Sequence, residues 1–249
     1  MIFILAIAIV VIGLAIERFA PAMPCQWRAI VFNLLCYVPL TILQTLLTLS
    51  VMIGAVAFTN WLGGGLVRLS PSIIDVLVYT IAMDLGEYLF HRAQHSIPAL
   101  WAMHSFHHSD EAVNISTTPR HFWAEQAIKS VTIYLIIGLV FAPDAGVVAA
   151  YTVITLLNFF FHMNVPIGLG RGWFLLNSPQ YHRIHHSSLA RHHNRNFAAL
   201  FPIFDVLFGT AYQPRAGEFP PTGLSDNDAP RSVIEAIVWP IRGFLRQTS

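Results

Sequence analysis

Histidine is the residue type whose placement in this chain most needs a chemical explanation. All 12 histidines fall between His91 and His193. His91 and His95 are i, i+4, so on a helix their rings leave one face. His104, His107 and His108 stand at i, i+3, i+4, and His182, His185 and His186 repeat that spacing, so in each block three rings are expected to converge. His162 lies in Asn158-Phe-Phe-Phe-His162-Met-Asn164, and a last block reads His192-His193-Asn-Arg-Asn196-Phe. A lone histidine on an apolar face is usually a hydrogen-bonded core residue. Recurring ring pairs at helical spacing, beside apolar segments where buried polar groups must find partners, read instead as metal ligands.

Ligand type and number narrow the metal. Imidazole suits zinc, copper, iron and nickel. Structural zinc is filled by four ligands, and catalytic zinc by three plus water. His91, His95, His104, His107, His108, His162, His182, His185 and His186 are too many for one ion and suit two ions with open positions. A zinc protease of the His-Glu-x-x-His type is excluded, because the first block reads His91-Arg-Ala-Gln-His95. A dinuclear site reached from a bilayer and lacking a nucleophile motif points to redox chemistry on oxygen. Iron is the expected metal, although spacing alone leaves copper and zinc open. Carboxylates commonly accept the outer ring N–H of such ligands, and Asp84, Glu87, Asp110 and Glu111 are the candidates. Asp110 and Glu111 also read as helix caps or surface charges, whereas Asp84 and Glu87 lie near a span and need partners. Cys25 and Cys36 form no Cys-x-x-Cys pair, so neither a disulfide scaffold nor a thiolate site is expected.

The elements that must position these rings are apolar. The chain of 249 residues is 55% hydrophobic and 11% charged, with a mean hydropathy of +0.58, whereas soluble domains carry roughly 25% charged residues. That excludes a disordered chain and leaves too few charges to cover a water-soluble globule. A net charge of +1 supplies no polyanion-binding field, so nucleic acid is excluded as a partner. A spanning helix needs about 20 apolar residues. Residues 1–16 form a short first span without the basic start or cleavage site of a signal peptide. Residues 29–67 carry no charge and predict a long span over 30–58 followed by a turn at Trp61-Leu-Gly-Gly-Gly65. Pro71-Ser72 opens a third span that runs to about residue 90. Segments 130–142 and 145–161, separated by Pro143-Asp144, predict a tight hairpin reaching the far leaflet. Residues 231–246 read as an interfacial amphipathic helix.

The expected architecture is therefore an all-α polytopic membrane protein of about four to five spans or hairpin segments with a histidine-rich helical cap. Its divisions are residues 1–90 as N-terminal spans, 91–218 as the di-metal region with a membrane hairpin at 130–162, and 219–249 as a C-terminal interfacial segment. With the N-terminus outside, the inside segments 17–28, 91–129 and 162–249 hold every basic residue but Arg68. The positive-inside rule then puts the cap in the cytoplasm, on a bacterial inner membrane or the endoplasmic reticulum.

In this order the blocks resemble the fatty acid hydroxylase/sterol desaturase superfamily of membrane di-iron oxygenases. The match runs from about Asp84 to Tyr212. It comprises His-x-x-x-His at 91–95, His-x-x-His-His at 104–108 and 182–186, Phe-x-His-x-Asn at 160–164, Asn177-Ser-Pro before the last block, and Phe204-Asp205-Val-Leu-Phe208-Gly209-Thr210 after it. The resemblance implies two non-haem irons held by histidines, with O2 as co-substrate, hydroxylating or desaturating a lipid. No fused cytochrome b5 segment is recognised, so it further implies a separate electron carrier of ferredoxin or cytochrome b5 type with its reductase. Departures from the pattern mark three residues. Asn158 stands where some members have a second histidine and is expected to reach a metal through water or to hydrogen-bond. Asn196-Phe197-Ala198 replaces the common Asn-Tyr-Gly, which makes His193 a further ligand candidate. His121, in Pro119-Arg-His-Phe-Trp, is expected to be structural. Phe159, Phe160, Phe161 and Trp173 are either lipid-channel lining or packing. Two rival readings remain, a histidine-lined metal transporter or sensor and a membrane zinc hydrolase.

Overall fold

The computed structural model describes residues 2–241, with side chains from residue 5. The described chain is all-α apart from two three-residue strands. It runs through α1 (Ile2–Phe19), α2 (Trp27–Trp61), β1 (Val67–Leu69), α3 (Ile73–Ser96), α4 (Pro98–His108), α5 (Glu125–Val131), α6 (Ile133–Val140), β2 (Phe141–Pro143), α7 (Ala145–Thr155), α8 (Leu157–Phe161), α9 (Pro179–His185), α10 (Ile203–Leu207) and α11 (Val233–Ile237).

The charge-free stretch becomes α2, which passes uninterrupted through Pro39 for 35 residues, longer than the expected 30–58. At 1.5 Å per residue it is about 52 Å long, more than a hydrocarbon core requires. Among the described helices it is the one long and apolar enough to cross a membrane, and only 6% of its most apolar window is buried. Leu35, Leu46 and Ile53 point outward. An apolar surface of that length needs a non-aqueous solvent.

At its end the chain turns through Gly63 and Gly65, both at positive φ. Gly65 is obligatory twice over, because a Cβ there would lie 2.9 Å from Ala142 Cβ. The Gly65 amide donates to Leu139 O at 3.0 Å, and β1 pairs in parallel with β2, Val67 opposite Phe141 and Leu69 opposite Pro143. The turn after α2 and the turn of the α6–α7 hairpin are thereby tied together. Asp144, expected as a hairpin turn residue, caps α7 by accepting from the Gly146 amide.

Two local expectations change. Pro71 lies outside α3: Ser72 is the N-cap and its hydroxyl accepts from the Asp75 amide. The third helix also does not stop near residue 90 but continues to Ser96, so the segment expected as a third span and the first histidine block share one rod. The described part of segment 231–246 buries Ala236 and Trp239 against Cys36, Leu40 and Phe106, and the Trp239 indole donates to Ser105 Oγ. This part is docked on α2 and α4 rather than lying free at an interface; residues 242–246 fall outside the described residues.

The base of α2 is fastened to the histidine region by a buried polar network. The Asn33 amide donates to Asp110 Oδ2 at 2.7 Å and its Oδ1 accepts from the Arg120 guanidinium at 2.7 Å. Arg120 also donates to Ser109 Oγ and Phe106 O. Asn33→Leu would leave a buried Arg120 N–H and an Asp110 lone pair without partners, at a cost of about 1–3 kcal/mol. The melting temperature of the detergent-solubilised variant is expected to fall accordingly; an unchanged value would contradict this docking.

Candidate metal centre

Four helices bring the rings together. α3 supplies His91 and His95 from its last two turns, and after a one-residue break at Ile97 α4 supplies His104, His107 and His108. His162 is the C-cap of α8. α9 supplies His182 and His185, with His186 as its C-cap. Ser178 starts α9 by accepting from the Tyr181 amide, with Pro179 at the first helical position, where its missing N–H costs nothing.

The nine histidines singled out above fall into two groups. The possible ligand atoms of His91, His95, His104, His108 and His185 all lie within 4.8 Å of one another, and so do those of His107, His162, His182 and His186. Each three-histidine block is divided between the groups. At 3.6 residues per turn, i+4 lies about 40° from i, whereas i+3 lies about 60° away on the other side. The i, i+4 pairs 104/108 and 182/186 accordingly stay together, while His107 and His185 cross to the other group. The groups abut, with the His108 and His186 rings stacked at 4.5 Å.

Hydrogen bonds behind the rings establish what faces the middle. Nδ1 of His91 contacts Phe197 O at 2.7 Å, that of His107 Arg120 O at 3.2 Å, that of His162 Asn158 O at 2.8 Å and that of His185 Arg195 O at 2.9 Å. A carbonyl oxygen only accepts, so these four Nδ1 atoms carry the hydrogen and each Nε2 presents a bare lone pair. His107 Nε2 and His162 Nε2 are 3.2 Å apart. Two lone pairs at that distance repel, and no hydrogen is available to join them; a cation between them removes the conflict. In the same group His182 Nε2 lies 2.9 Å from His162 Nε2 and 3.1 Å from His186 Nε2. In the other group His91 and His104 meet through Nε2 at 3.0 Å, and Nε2 of His95, His108 and His185 are buried with no hydrogen-bond partner. Such separations are those of neighbouring nitrogens bound to one ion at roughly 2.0–2.1 Å. An all-imidazole donor set fits iron, copper or zinc.

Electrostatics agree with that fit. Burial, reinforced by the neighbouring rings, holds His107, His108, His182 and His186 well below the usual imidazole range, and burial pushes His185 down to about 3. These rings are neutral at physiological pH, the form that binds metal.

One carboxylate does stand behind a ring, but it is none of the four expected. Glu125 Oε2 accepts from Gln94 Nε2 at 2.8 Å and from His121 Nδ1 at 3.3 Å, and lies 3.5 Å from His104 Nδ1, the outer limit of hydrogen bonding. Burial alone would raise the Glu125 carboxyl; the contacts with His104 and His121 override it and hold the group well below the usual carboxylate range. Its only sequence signal was the i, i+4 relation to His121, whose ring stacks on His107 at 4.4 Å. His104, His121 and Glu125 also form a compact triplet, but His104 already turns Nε2 to the first group, so Glu125 stands behind it, hydrogen-bonded to His121 and 3.5 Å from His104 Nδ1.

Among the other expected contributors, Asp84 is buried and accepts from the Leu200 and Phe201 amides, each at 2.8 Å, rather than from a ring. Glu87 pairs with Lys129 at 2.6 Å. Asp110 belongs to the Asn33–Arg120 network, and Glu111 is exposed. Asn158 serves through its backbone carbonyl to His162, while its side chain donates to Thr155 O. His193 is exposed and joins neither group, although it lines a cavity of about 250 Å³ with His95, His108 and His185. A larger cavity, about 380 Å³, opens on the other rings, including His91, His107 and His162, between α3 and α5–α8. Asp205 was quoted above only as part of a motif. It is buried and accepts from the Phe197 and Ala198 amides, Thr210 Oγ1 and the Tyr181 hydroxyl, so it anchors the loop whose carbonyl backs His91.

The family model described as fatty acid hydroxylase matches residues 76–210, the segment that holds both groups. The chain belongs to that family. It is 35% identical over 131 residues to alkylglycerol monooxygenase of Danio rerio, covering 52% of this chain and 29% of that protein. It is 26% identical over 144 residues to ornithine lipid hydroxylase OlsE of Rhizobium tropici, covering 58% and 44%. To protein CER1-like 1 of Arabidopsis thaliana it is 26% identical over 161 residues, covering 57% and 24%. The chain thus spans less than half the length of these curated relatives. No solved structure matches it.

Two outcomes follow from this geometry. His107→Ala should lose bound metal by elemental analysis and Glu125→Gln should weaken metal affinity by about 10–100-fold, whereas His193→Ala should keep full occupancy; equal loss in all three would contradict the grouping. The buried imidazoles protonate near 6.5 once unfolded, so the unfolded chain binds more protons below that pH. Stability is then present above about 6.5 and lost as pH falls toward the depressed folded values. The melting temperature of metal-stripped protein should fall steadily from pH 6.5 to 5; a flat profile would show that the rings are not held neutral.

Proposed function

We propose that this chain is the catalytic core of a membrane di-iron oxygenase that hydroxylates a lipid C–H bond, using O2 and electrons from a separate carrier. The observation that carries the reading is the pair of buried imidazole groups with lone pairs turned inward, in a chain whose relatives are named lipid monooxygenases and hydroxylases. His91, His95, His104, His108 and His185 would hold one iron, and His107, His162, His182 and His186 the other. When bound, the two irons supply the oxidising chemistry: one oxygen atom of O2 enters the C–H bond and the other leaves as water, with two electrons and two protons consumed.

The protein's own part is placement. The carbonyls of Phe197, Arg120, Asn158 and Arg195 hold four rings in one tautomer and orientation. The Glu125 carboxylate bonds His121 and lies 3.5 Å behind His104. The cavity between α3 and α5–α8 receives the substrate on the side where the apolar helices lie.

In this reading α1, α2, α3 and the α6–α8 hairpin sit in the bilayer, residues 91–218 carry the metal region, and the described part of the C-terminal segment, residues 219–241, closes against it. The cap faces the cytoplasm, as the distribution of all basic residues except Arg68 over its segments supports. The electron donor is a ferredoxin or cytochrome b5 type protein with its reductase. A transport pathway would string ligands through the bilayer, whereas these converge. A zinc hydrolase would need neither O2 nor reductant.

The test is expression in a lipid-producing host followed by mass analysis of lipid extracts, with metal analysis of the purified protein. Iron, and a product carrying one 18O atom from labelled O2 only when reductant is present, are expected. Lipid turnover that persists without oxygen would overturn the reading.

A further inference from the structure

The cavity between α3 and α5–α8 is not a plain hydrocarbon channel. Glu87 and Lys129 line it and pair across it at 2.6 Å, both only partly exposed. Each lies one helical turn from the metal region on its own helix. Glu87 is four residues before His91 on α3, and Lys129 is four residues after Glu125 on α5. The ion pair therefore sits about 6 Å along both helices from the layer of His91 and Glu125. Around it are further polar groups. The Tyr134 oxygen accepts from Gln126 Nε2 at 2.6 Å, which leaves its own O–H free to donate. Tyr151 lines the same space, with its ring edge against Tyr79 and no hydrogen bond from its hydroxyl among the described residues. Asn158 and Thr155 complete the polar wall. Charges held this deep are costly unless they are paired and have a role, and no ring of either histidine group depends on this pair.

We infer that Glu87, Lys129, Tyr134 and Tyr151 form the subsite for the polar end of the substrate, and that this end is an uncharged, hydroxyl-bearing group such as glycerol rather than a free carboxylate. The inference rests on the reading of this cavity as the substrate side of the oxygenase. Its basis is charge balance. Lys129 is already neutralised by Glu87, so the pair offers hydroxyls one strong acceptor and one strong donor at no net charge. An incoming carboxylate would have to share Lys129 with Glu87, placing two anions on one cation in a site of low dielectric. Hydroxyls, which both donate and accept, match Glu87 on one side and Lys129 and the tyrosines on the other.

The test is binding rather than turnover, so that its failure is distinct from failure of the oxygenase reading. Native mass spectrometry of the purified, detergent-solubilised protein would compare a monoalkylglycerol with a free fatty acid of the same chain length. The wild type is expected to bind the glycerol lipid at least about tenfold more tightly, in keeping with the loss incurred when a buried polar site is left unmatched. Glu87→Gln frees Lys129 and should reverse that preference. Tyr151→Phe leaves the ion pair intact and guards against a folding defect in the first variant; it should weaken the glycerol lipid several-fold without changing the fatty acid. Equal affinity for the two lipids in the wild type, or a preference unmoved by both substitutions, would overturn the assignment.

Discussion

Lone pairs facing one another in a buried space are the constraint around which the rest of this molecule is organised. Once Nδ1 of His107 and His162 is committed to a backbone carbonyl, their Nε2 atoms, 3.2 Å apart, cannot hydrogen-bond to each other. A cation between them satisfies both. The same commitment leaves His91 and His185 with bare Nε2 atoms in the neighbouring group. The site is thus preorganised from behind, with backbone dipoles choosing the tautomer and burial keeping the rings neutral.

That arrangement makes unremarked loops as important as the histidines. The Phe197 carbonyl is where it is because Asp205 and Asp84 hold the amides of residues 197, 198, 200 and 201, and because Asn196 adopts a positive φ of 60° while its side-chain amide donates to Tyr212 O and accepts from the Tyr212 amide. The left-handed conformation is one that asparagine tolerates better than most side chains. The Arg120 carbonyl behind His107 belongs to a residue whose guanidinium ties α4 to Asn33 of α2. The longest apolar helix and the metal region are therefore mechanically one body. The parallel β1–β2 contact fastens the helical turns at the other end.

Much of this was legible in the sequence for a local reason. Helical spacing sets ring direction within a few residues, so His91/His95, His104/His108 and His182/His186 stay together as expected, whereas the expected convergence of His107 and His185 with their own blocks fails because i+3 turns each of them to the other group. A charge-free run of residues declared α2, because apolar length needs no knowledge of its neighbours. The less local features were misjudged or unseen. Asp84 and Glu87 looked like partners for imidazoles because they lie near a span and need partners, yet one caps a distant loop and the other meets Lys129, 42 residues away. Glu125 offered only its i, i+4 relation to His121 and Asp205 only its place in a motif, since Gln94 and His104 in the one case and Tyr181 and the residue 197–198 amides in the other come from other elements.

Residue type and short-range periodicity alone determined that the chain is helical and apolar, that its histidines suit metal binding, and which of them lie on a common helix face. The physical reason is that hydropathy and the 3.6-residue repeat are properties of a segment by itself. Only the tertiary structure decided how the three-histidine blocks divide into two groups, which carbonyls and carboxylate stand behind the rings, and that an ion pair faces the cavity beside them. Those outcomes depend on how α3, α4, α8 and α9 meet, and no single segment contains that information.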